Sequence, residues 1–268
     1  MYMKIDMNLL KQLRDITMAS LKDCKEALVE SEWDLDKAHE ILKKSGAAKA
    51  AKKADRETNE WVVKFVEKDG KVVGIKLLCE TDFVAKNETF QGLVDALLDV
   101  IVVHGKNIQN VEEASQELLD GLQNRINESI TQIGENVRVA DCLSIDADGV
   151  YIYNHAWNKV ATIVSYQWDQ EDMAKDLALQ ITAMNPVYIS IDEVPQEKKD
   201  AAVEWEREAL LKSGKPEAMV DNIVQGKMLK AMSDSVLLEQ EFIRDGSKKV
   251  KDVLPEGFVI NRFVRYAV

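Results

Sequence analysis

The sequence is poor in the residues that mark several protein classes. Its 268 residues include 3 cysteines, 4 prolines and 12 glycines. So few prolines and glycines exclude a collagen-like or low-complexity chain, and a hydrophobic content of 46% excludes a disordered one. The cysteines are odd in number, lie far apart in the chain and form no Cys-x-x-Cys pair. Together with the length of the chain, this indicates a reduced, cytoplasmic protein.

Positive charge and long apolar runs are also scarce. Against 47 Asp and Glu there are 35 Lys and Arg, which gives a formal net charge of −12. This charge disfavours broad binding to nucleic acid or to an anionic membrane, but it is compatible with a protein partner. The apolar segment 94–103 is interrupted by Asp95 and Asp99, and the N-terminus carries no apolar run of signal-peptide length. We therefore expect neither a membrane span nor secretion.

The motifs of common enzyme classes are missing as well. The sequence contains no Gly-x-x-x-x-Gly-Lys-Ser/Thr loop, no Gly-x-Gly-x-x-Gly, no His-Glu-x-x-His and no Gly-x-Ser-x-Gly. Its histidines, His39, His104 and His155, are isolated in sequence, which is more typical of surface or packing residues than of ligands. We expect no catalytic residue, no metal and no cofactor. A hydrolase, with His155 as a candidate residue, is the weaker hypothesis.

Residues 1–46 predict a three-helix domain. Ser20 precedes the second helix with Asp23 three residues later, which is a helix-start signal. The third helix is expected to run from about Asp34 to Gly46, with the glycine as its stop. Apolar stripes mark the first two helices: Leu9, Leu10 and Leu13, then Leu21, Cys24, Ala27 and Leu28. A core this small is marginal alone, so an exposed face for binding is expected.

A lysine-rich segment, 47–60, is predicted to link this domain to the rest. Lysines are frequent from Lys43 to Lys53, with Asp55 as the single acidic residue of 43–56. The segment could serve as a basic arm for RNA or an acidic partner. We favour the second interpretation, a solvated and partly helical linker.

Two sheet-and-helix subdomains are predicted after the linker, at 61–140 and 141–268. From Trp61 the apolar period becomes two, and Asp69-Gly70 is typical of a tight hairpin turn. Helices are expected over 90–101, 111–133 and 173–184, and strands over 137–145, 150–153, 160–166 and 257–266. Asp148-Gly149 marks the turn between the first two of these strands.

A charged helical hairpin is predicted over about 196–235. Its two helices meet at residues 213–216 (SGKP), where Gly214 suits a left-handed helix stop and Pro216 suits a helix start. The apolar stripes of both helices are narrow, which favours a protruding antiparallel pair over a buried one. The predicted fold class is therefore α+β: a helical head, then two sheet-plus-helix subdomains with this hairpin.

An unusual polar and aromatic segment follows the second strand of the first subdomain. Residues 79–87 read CETDFVAKN and end where the helix over 90–101 begins. Two interpretations are open from the residues alone. Asp82 and Phe83 could be held out as a binding tip, or Phe83 could fold onto its own core, which is the more common outcome for a phenylalanine.

Residues 81–87 (TDFVAKN) closely resemble the signature of the elongation factor Ts family, the guanine-nucleotide exchange factors of elongation factor Tu. Further segments resemble that family in the same order: 13–17 (LRDIT) with 23–28 (DCKEAL), 44–54 (KSGAAKAAKKA), 133–136 (IGEN), and 213–216 (SGKP) with 226–227 (GK). The resemblance covers about residues 8–266. It implies a ubiquitin-associated-type head, no enzyme chemistry and a role in translation elongation.

The resemblance also implies roles for individual residues. The tip residues Thr81, Asp82, Phe83 and Val84 would enter the GTPase domain near its magnesium and phosphate loop, with Phe83 as a wedge between helices. Further expected partner contacts are Arg14, Leu21, Ile133, Gly134 and Ile243.

The partner implied is elongation factor Tu, in its GDP-bound and nucleotide-free forms, with no membrane and no direct nucleic-acid contact. Whether the chain forms a homodimer through about residues 140–240 is left open. The alternative function is a ubiquitin-associated-type adaptor or nascent-chain binding module without exchange activity, which would work without Asp82 and Phe83.

Overall fold

The computed structural model describes residues 6–17, 19–167, 170–214 and 216–267. The described chain divides into two units, one of residues 6–147, 156–160 and 267, the other of residues 148–155 and 161–266. Both combine helices with a small antiparallel sheet. The α+β class is therefore confirmed.

The first unit begins with three helices, α1 (Met7–Thr17), α2 (Leu21–Glu30) and α3 (Leu35–Ala51). Their starts follow the sequence closely, because the Ser20 hydroxyl accepts from the Asp23 amide at 3.1 Å and Asp34 caps α3 in the same way. The head has its own core, in which Trp33 packs partly buried against fully buried side chains: Leu13, Cys24, Leu28 and Ala38. The predicted three-helix head is confirmed.

The predicted stop of α3 at Gly46 is wrong. The helix continues through the alanine-rich residues that follow, as far as Ala51. Gly46 instead faces α6 (Gln116–Ile133), where an added Cβ would lie 2.1 Å from the Asn127 carbonyl oxygen. The glycine therefore permits close approach of two helix backbones. The predicted linker consequently starts inside α3, and Lys49 forms an ion pair with Asp23 at 3.3 Å.

A three-stranded sheet and two long helices complete the first unit. The strands β1 (Glu60–Lys68), β2 (Lys71–Cys79) and β3 (Arg138–Asp146) pair antiparallel in that order. Asp69 and Gly70 both have positive φ, as a tight hairpin turn requires. Helices α5 (Glu88–His104) and α6 pack on the sheet. The predicted helix 111–133 is interrupted, because Ser115 caps α6 after a separate 3-10 turn, Val111–Glu113.

The second unit has its own sheet, with strand order β4 (Val150–Asn154), β5 (Ala161–Gln167) and β8 (Val259–Tyr266). Helix α7 (Glu171–Met184) packs on it. A short hairpin of β6 (Glu241–Phe242) and β7 (Asp245–Lys249), followed by the turn α10 (Val250–Val253), was not predicted.

The strands on either side of Asp148-Gly149 do not form a hairpin. β3 pairs with β2 over the whole length from Lys71 to Leu78, whereas β4 pairs with β5 in the other sheet. The expected boundary between residues 140 and 141 therefore falls inside β3, and the units divide after residue 147.

The charged hairpin consists of α8 (Gln196–Lys212) and α9 (Glu217–Met232). Gly214 has the left-handed φ expected of the stop, +82°, and Lys215 of the predicted turn lies outside the described residues. The helices share a narrow buried seam of Leu210, Val220 and Val224. The predicted antiparallel pair is confirmed.

Candidate functional site

The segment that follows β2 turns back within a few residues and so forms a tip. β2 ends at Cys79, and Asp82–Ala85 forms a single helical turn, α4, before α5 begins. Thr81 is extended, with φ −127°, and its hydroxyl accepts from the Val84 amide at 3.4 Å. Asn87 caps the next helix through the Thr89 amide at 2.8 Å. Two consecutive caps thus fix α4 between a strand and a long helix.

The side chains of α4 face in opposite directions. Phe83 is 82% exposed, whereas Ala85 is buried and Val84 packs against the core of the first unit. Of the two interpretations left open by the sequence, the exposed Phe83 is therefore the observed one. Because its neighbours are anchored, Phe83 is presented on a fixed turn.

Asp82 carries the charge of the tip. Its carboxylate pairs with Lys86 one turn later at 2.9 Å, and this hydrogen bond holds the pKa of Asp82 below its usual value. The same contact raises the pKa of Lys86. Both groups are therefore charged at neutral pH. The pair is exposed, so Asp82 is open to a partner that offers a competing cation.

Glu135 holds the base of the tip from 54 residues further along the chain. One carboxylate oxygen accepts from the backbone amides of Glu80 and Thr81, both at 3.0 Å, and the other accepts from the Thr81 hydroxyl at 2.6 Å. We call this set of bonds, together with the Glu80–Asn136 bond below, the clasp. Charge-assisted hydrogen bonds of this kind are stronger than neutral ones.

The clasp is reciprocal. The Glu80 carboxylate accepts from the Asn136 amide at 2.6 Å, and Arg56 approaches the same oxygen at 3.5 Å. The buried Asn136 side chain then donates to the Arg56 carbonyl at 2.8 Å. Lys53 donates to the Gly134 carbonyl. The end of the predicted linker is thus bound to the site instead of being free in solvent.

Ile133 and Gly134 lie beside the tip, at the end of α6. Gly134 ends the helix in the left-handed conformation, with φ +80°. Ile133 and Val84 line one shallow pocket of about 260 Å³ together with Phe90. The structure therefore brings six of the nine predicted contact residues together: Thr81, Asp82, Phe83, Val84, Ile133 and Gly134.

The other three lie on different elements. Arg14, on α1, and Leu21, at the start of α2, are exposed on the head, with Leu21 at 53%. Ile243 lies in the second unit between β6 and β7, 46% exposed. Its amide donates to buried Gln180 at 2.7 Å, which fixes the backbone under the exposed side chain.

Glu80, Glu135 and Lys86 were missing from the predicted site residues. The sequence carried one signal for Glu135, its place directly after Ile133 and Gly134 in the segment 133–136. No spacing rule could join Glu135 to Thr81, because the two meet only when β2 and the end of α6 pack together.

The possible metal ligands, the thiol beside the tip and two of the histidines have the following surroundings. Among them, no group of three or more His, Cys, Asp or Glu side chains is arranged to hold a metal ion. Burial raises the pKa of Cys79, directly before the tip, to about 12. His39 and His104 pair with Glu128 and Glu117 at 3.5 and 3.2 Å. Over the same described range, no helix combines the length and apolar character of a membrane span.

Comparison with known proteins gives a consistent result. The family model described as elongation factor TS matches residues 80–268, which include the tip and the clasp. The chain is 38% identical to elongation factor Ts of Aquifex aeolicus, over 99% of this chain and 98% of that protein. It is 36% identical to elongation factor Ts of Hydrogenobaculum (96% of each protein) and of Clostridium perfringens (96% of this chain, 90% of that protein). With a family match over most of its length and relatives aligned nearly end to end, the chain belongs to the elongation factor Ts family.

Proposed function

We propose that this chain binds elongation factor Tu and accelerates its release of GDP in the cytoplasm, and that the tip carries this activity. Thr81, Asp82, Phe83 and Val84 enter the GTPase domain near its magnesium and phosphate-binding loop. Phe83 inserts between helices there and displaces the groups that hold magnesium and phosphate. The observation that carries the proposal is an exposed Phe83 on a turn that the clasp fixes, in a chain of this family.

The fixed turn matters because insertion of a mobile side chain is opposed by the entropy lost on ordering it. A side chain that is already presented in one conformation avoids part of that loss. The caps of α4 and the clasp supply this preorganisation. They also keep the tip in one conformation when it meets its partner. A mobile loop would change its own conformation before it displaced the partner's helices.

Magnitudes indicate that Phe83 does not act alone. A site that holds GDP with nanomolar affinity binds it by about 12 kcal/mol, and a thousandfold weakening needs about 4 kcal/mol. Burial of one phenylalanine contributes about 1.5–3 kcal/mol. The rest would come from loss of the magnesium–phosphate interaction and from further contacts, for which Arg14, Leu21, Ile133, Gly134 and Ile243 are the candidates.

The proposed action involves no covalent chemistry and no nucleotide bound to this chain. Because coupling between two ligands is reciprocal, GDP or GTP weakens the binding of this chain by the same factor by which the chain weakens nucleotide. Nucleotide loading therefore releases the factor. This distinguishes the proposal from the adaptor and hydrolase hypotheses, which predict no stable complex with nucleotide-free elongation factor Tu.

The test is stopped-flow release of a fluorescent GDP analogue from elongation factor Tu. We expect the parent chain to accelerate release, and Phe83→Ala to reduce the acceleration at least tenfold, as the burial energy of a phenylalanine predicts. Asp82→Ala should reduce it severalfold. Val103→Ala is the matched control, because Val103 is 69% exposed on α5 and lies outside the tip.

Three outcomes separate the hypotheses. If Phe83→Ala loses the acceleration of GDP release and Val103→Ala keeps it, the role of Phe83 as a wedge is supported. Acceleration that neither tip substitution changes assigns exchange to other residues and refutes the role of the tip. No acceleration by the folded parent refutes the exchange function. If gel filtration then shows no stable complex with nucleotide-free elongation factor Tu, the adaptor is favoured.

A further inference from the structure

A second large aromatic side chain of the first unit is exposed without a packing role. Trp157 is 79% exposed and lies in the turn Ala156–Asn158. Its backbone is left-handed, with φ +65°, and that of Asn158 is too, with φ +51°. Two successive non-glycine residues in this region are unfavourable, tryptophan more so than asparagine. Strained backbone of this kind persists where the surroundings enforce it and is concentrated at functional sites.

The surroundings of Trp157 are well anchored. The Lys159 ammonium group contacts Glu60 at 2.5 Å and the Trp61 carbonyl at 3.0 Å, and it lies 4.5 Å from the centre of the Trp61 ring. The Trp61 indole donates in return to the Lys159 carbonyl at 2.8 Å. These contacts fix residues 156–160 on β1, so Trp157 is presented to solvent on a constrained turn, as Phe83 is.

One side chain connects this turn to the tip. The Gln91 amide nitrogen donates to the Ala85 carbonyl of α4 at 2.6 Å, and the Gln91 amide oxygen accepts from the Asn158 side chain at 3.4 Å. The side chain of Gln91 therefore joins the residue next to Trp157 to the helix that carries Phe83. The two exposed aromatic residues are thus carried by turns that one glutamine side chain joins.

We propose that Trp157 is a second apolar anchor for the GTPase that receives the tip, and that it adds affinity beside Phe83. This inference rests on the proposed function. A stable interface covers about 800 Å² on each partner, far more than one phenylalanine provides, so it extends to the surface around the tip. Tryptophan is among the residues that most often dominate binding energy. Such an anchor requires an apolar depression on the partner, next to the helices between which Phe83 inserts.

The test compares Trp157→Gly with the parent in calorimetric titrations of nucleotide-free elongation factor Tu, with full-length chains. Glycine adopts the left-handed conformation without strain, and little packing is lost, so the variant retains its fold. We expect its Kd to rise at least tenfold, and Trp157→Phe to recover part of the loss. Trp205→Ala is the matched control, since Trp205 is 66% exposed on α8, and its Kd should stay within twofold of the parent value.

The outcomes keep this inference separate from the proposed function. A parent chain that does not bind elongation factor Tu overturns both. A parent that binds, with a Trp157→Gly variant of unchanged Kd, overturns the anchor alone and leaves the tip unaffected. Sedimentation gives a further outcome. If Trp157→Gly changes self-association but leaves the Kd for elongation factor Tu unchanged, Trp157 contacts a second copy of this chain, and its role as an anchor for the GTPase is overturned.

Discussion

Removal of the Glu135 carboxylate should disable the tip without touching it. In Glu135→Ala, the amides of Glu80 and Thr81 and the Thr81 hydroxyl all lose their acceptor. A hydrogen bond to a charged group contributes about 1.5–3 kcal/mol when shielded from water. Because these three bonds are only partly buried and water can replace some of them, we take their combined loss as about 2–3 kcal/mol.

This energy translates into a measurable loss of exchange. We assume that binding to elongation factor Tu must restore the geometry of the tip in Glu135→Ala. The lost ~2–3 kcal/mol then reduces the apparent affinity for elongation factor Tu by roughly 30- to 140-fold, at about 1.4 kcal/mol per tenfold. The assay is the concentration dependence of GDP-analogue release, at a temperature well below the unfolding transition of the variant. The half-saturating concentration should rise by that factor.

Controls separate the clasp from general destabilisation. Glu113→Ala removes a carboxylate that likewise accepts from a backbone amide, that of Gln109 at 2.8 Å, at another loop of the same unit. It should leave exchange within twofold of the parent. Glu135→Gln keeps one acceptor oxygen and should lie between parent and alanine variant. If Glu135→Ala exchanged as well as Glu113→Ala, the clasp would have no role in positioning the tip.

Two further predictions concern packing and the thiols. Gly46→Ala should destabilise the fold by about 1–3 kcal/mol in denaturant unfolding, because its Cβ would overlap the Asn127 carbonyl. Gly92→Ala is the control: the space around its added methyl group is empty, so it should stabilise helix α5 by about 0.5–1 kcal/mol. Equal effects at both sites would contradict the close contact between α3 and α6. Burial raises the pKa of both Cys79 and Cys142 to about 12, so both should remain protonated and unreactive towards an aromatic disulfide reagent at pH 8 and react only on unfolding. Rapid labelling of either of these two residues in the folded chain would refute its burial.

Local features of this protein followed from its sequence because the interactions behind them span only a few residues. The Ser20 cap needs Asp23, three positions away, and the hairpin of β1 and β2 needs the positive φ that Asp69-Gly70 readily adopts. Helical periodicity placed α5 and α7 close to their observed positions, since one apolar face is enough to define a buried helix. The tip itself was found through resemblance of residues 81–87 to a family signature.

Tertiary structure decided what depends on distant segments. The residues of β3 suit a strand in any sheet, and only pairing with β2 assigned it to the first unit and not to a hairpin with β4. Gly46 has the chemistry of a helix stop, yet the approach of α6 gave it a packing role.

The exposure of Phe83 was undecided by sequence for the same reason. A phenylalanine beside a core can turn inwards or outwards, and the direction depends on how its backbone is held. Here Glu135, 54 residues after Thr81, holds that backbone. The sequence by itself determined where helices, turns and the tip begin, because neighbouring residues specify them. Contacts between remote segments decided which strands pair, where backbones meet and which side chain is offered to a partner, because those choices depend on burial and hydrogen bonding that exist only once the chain has folded.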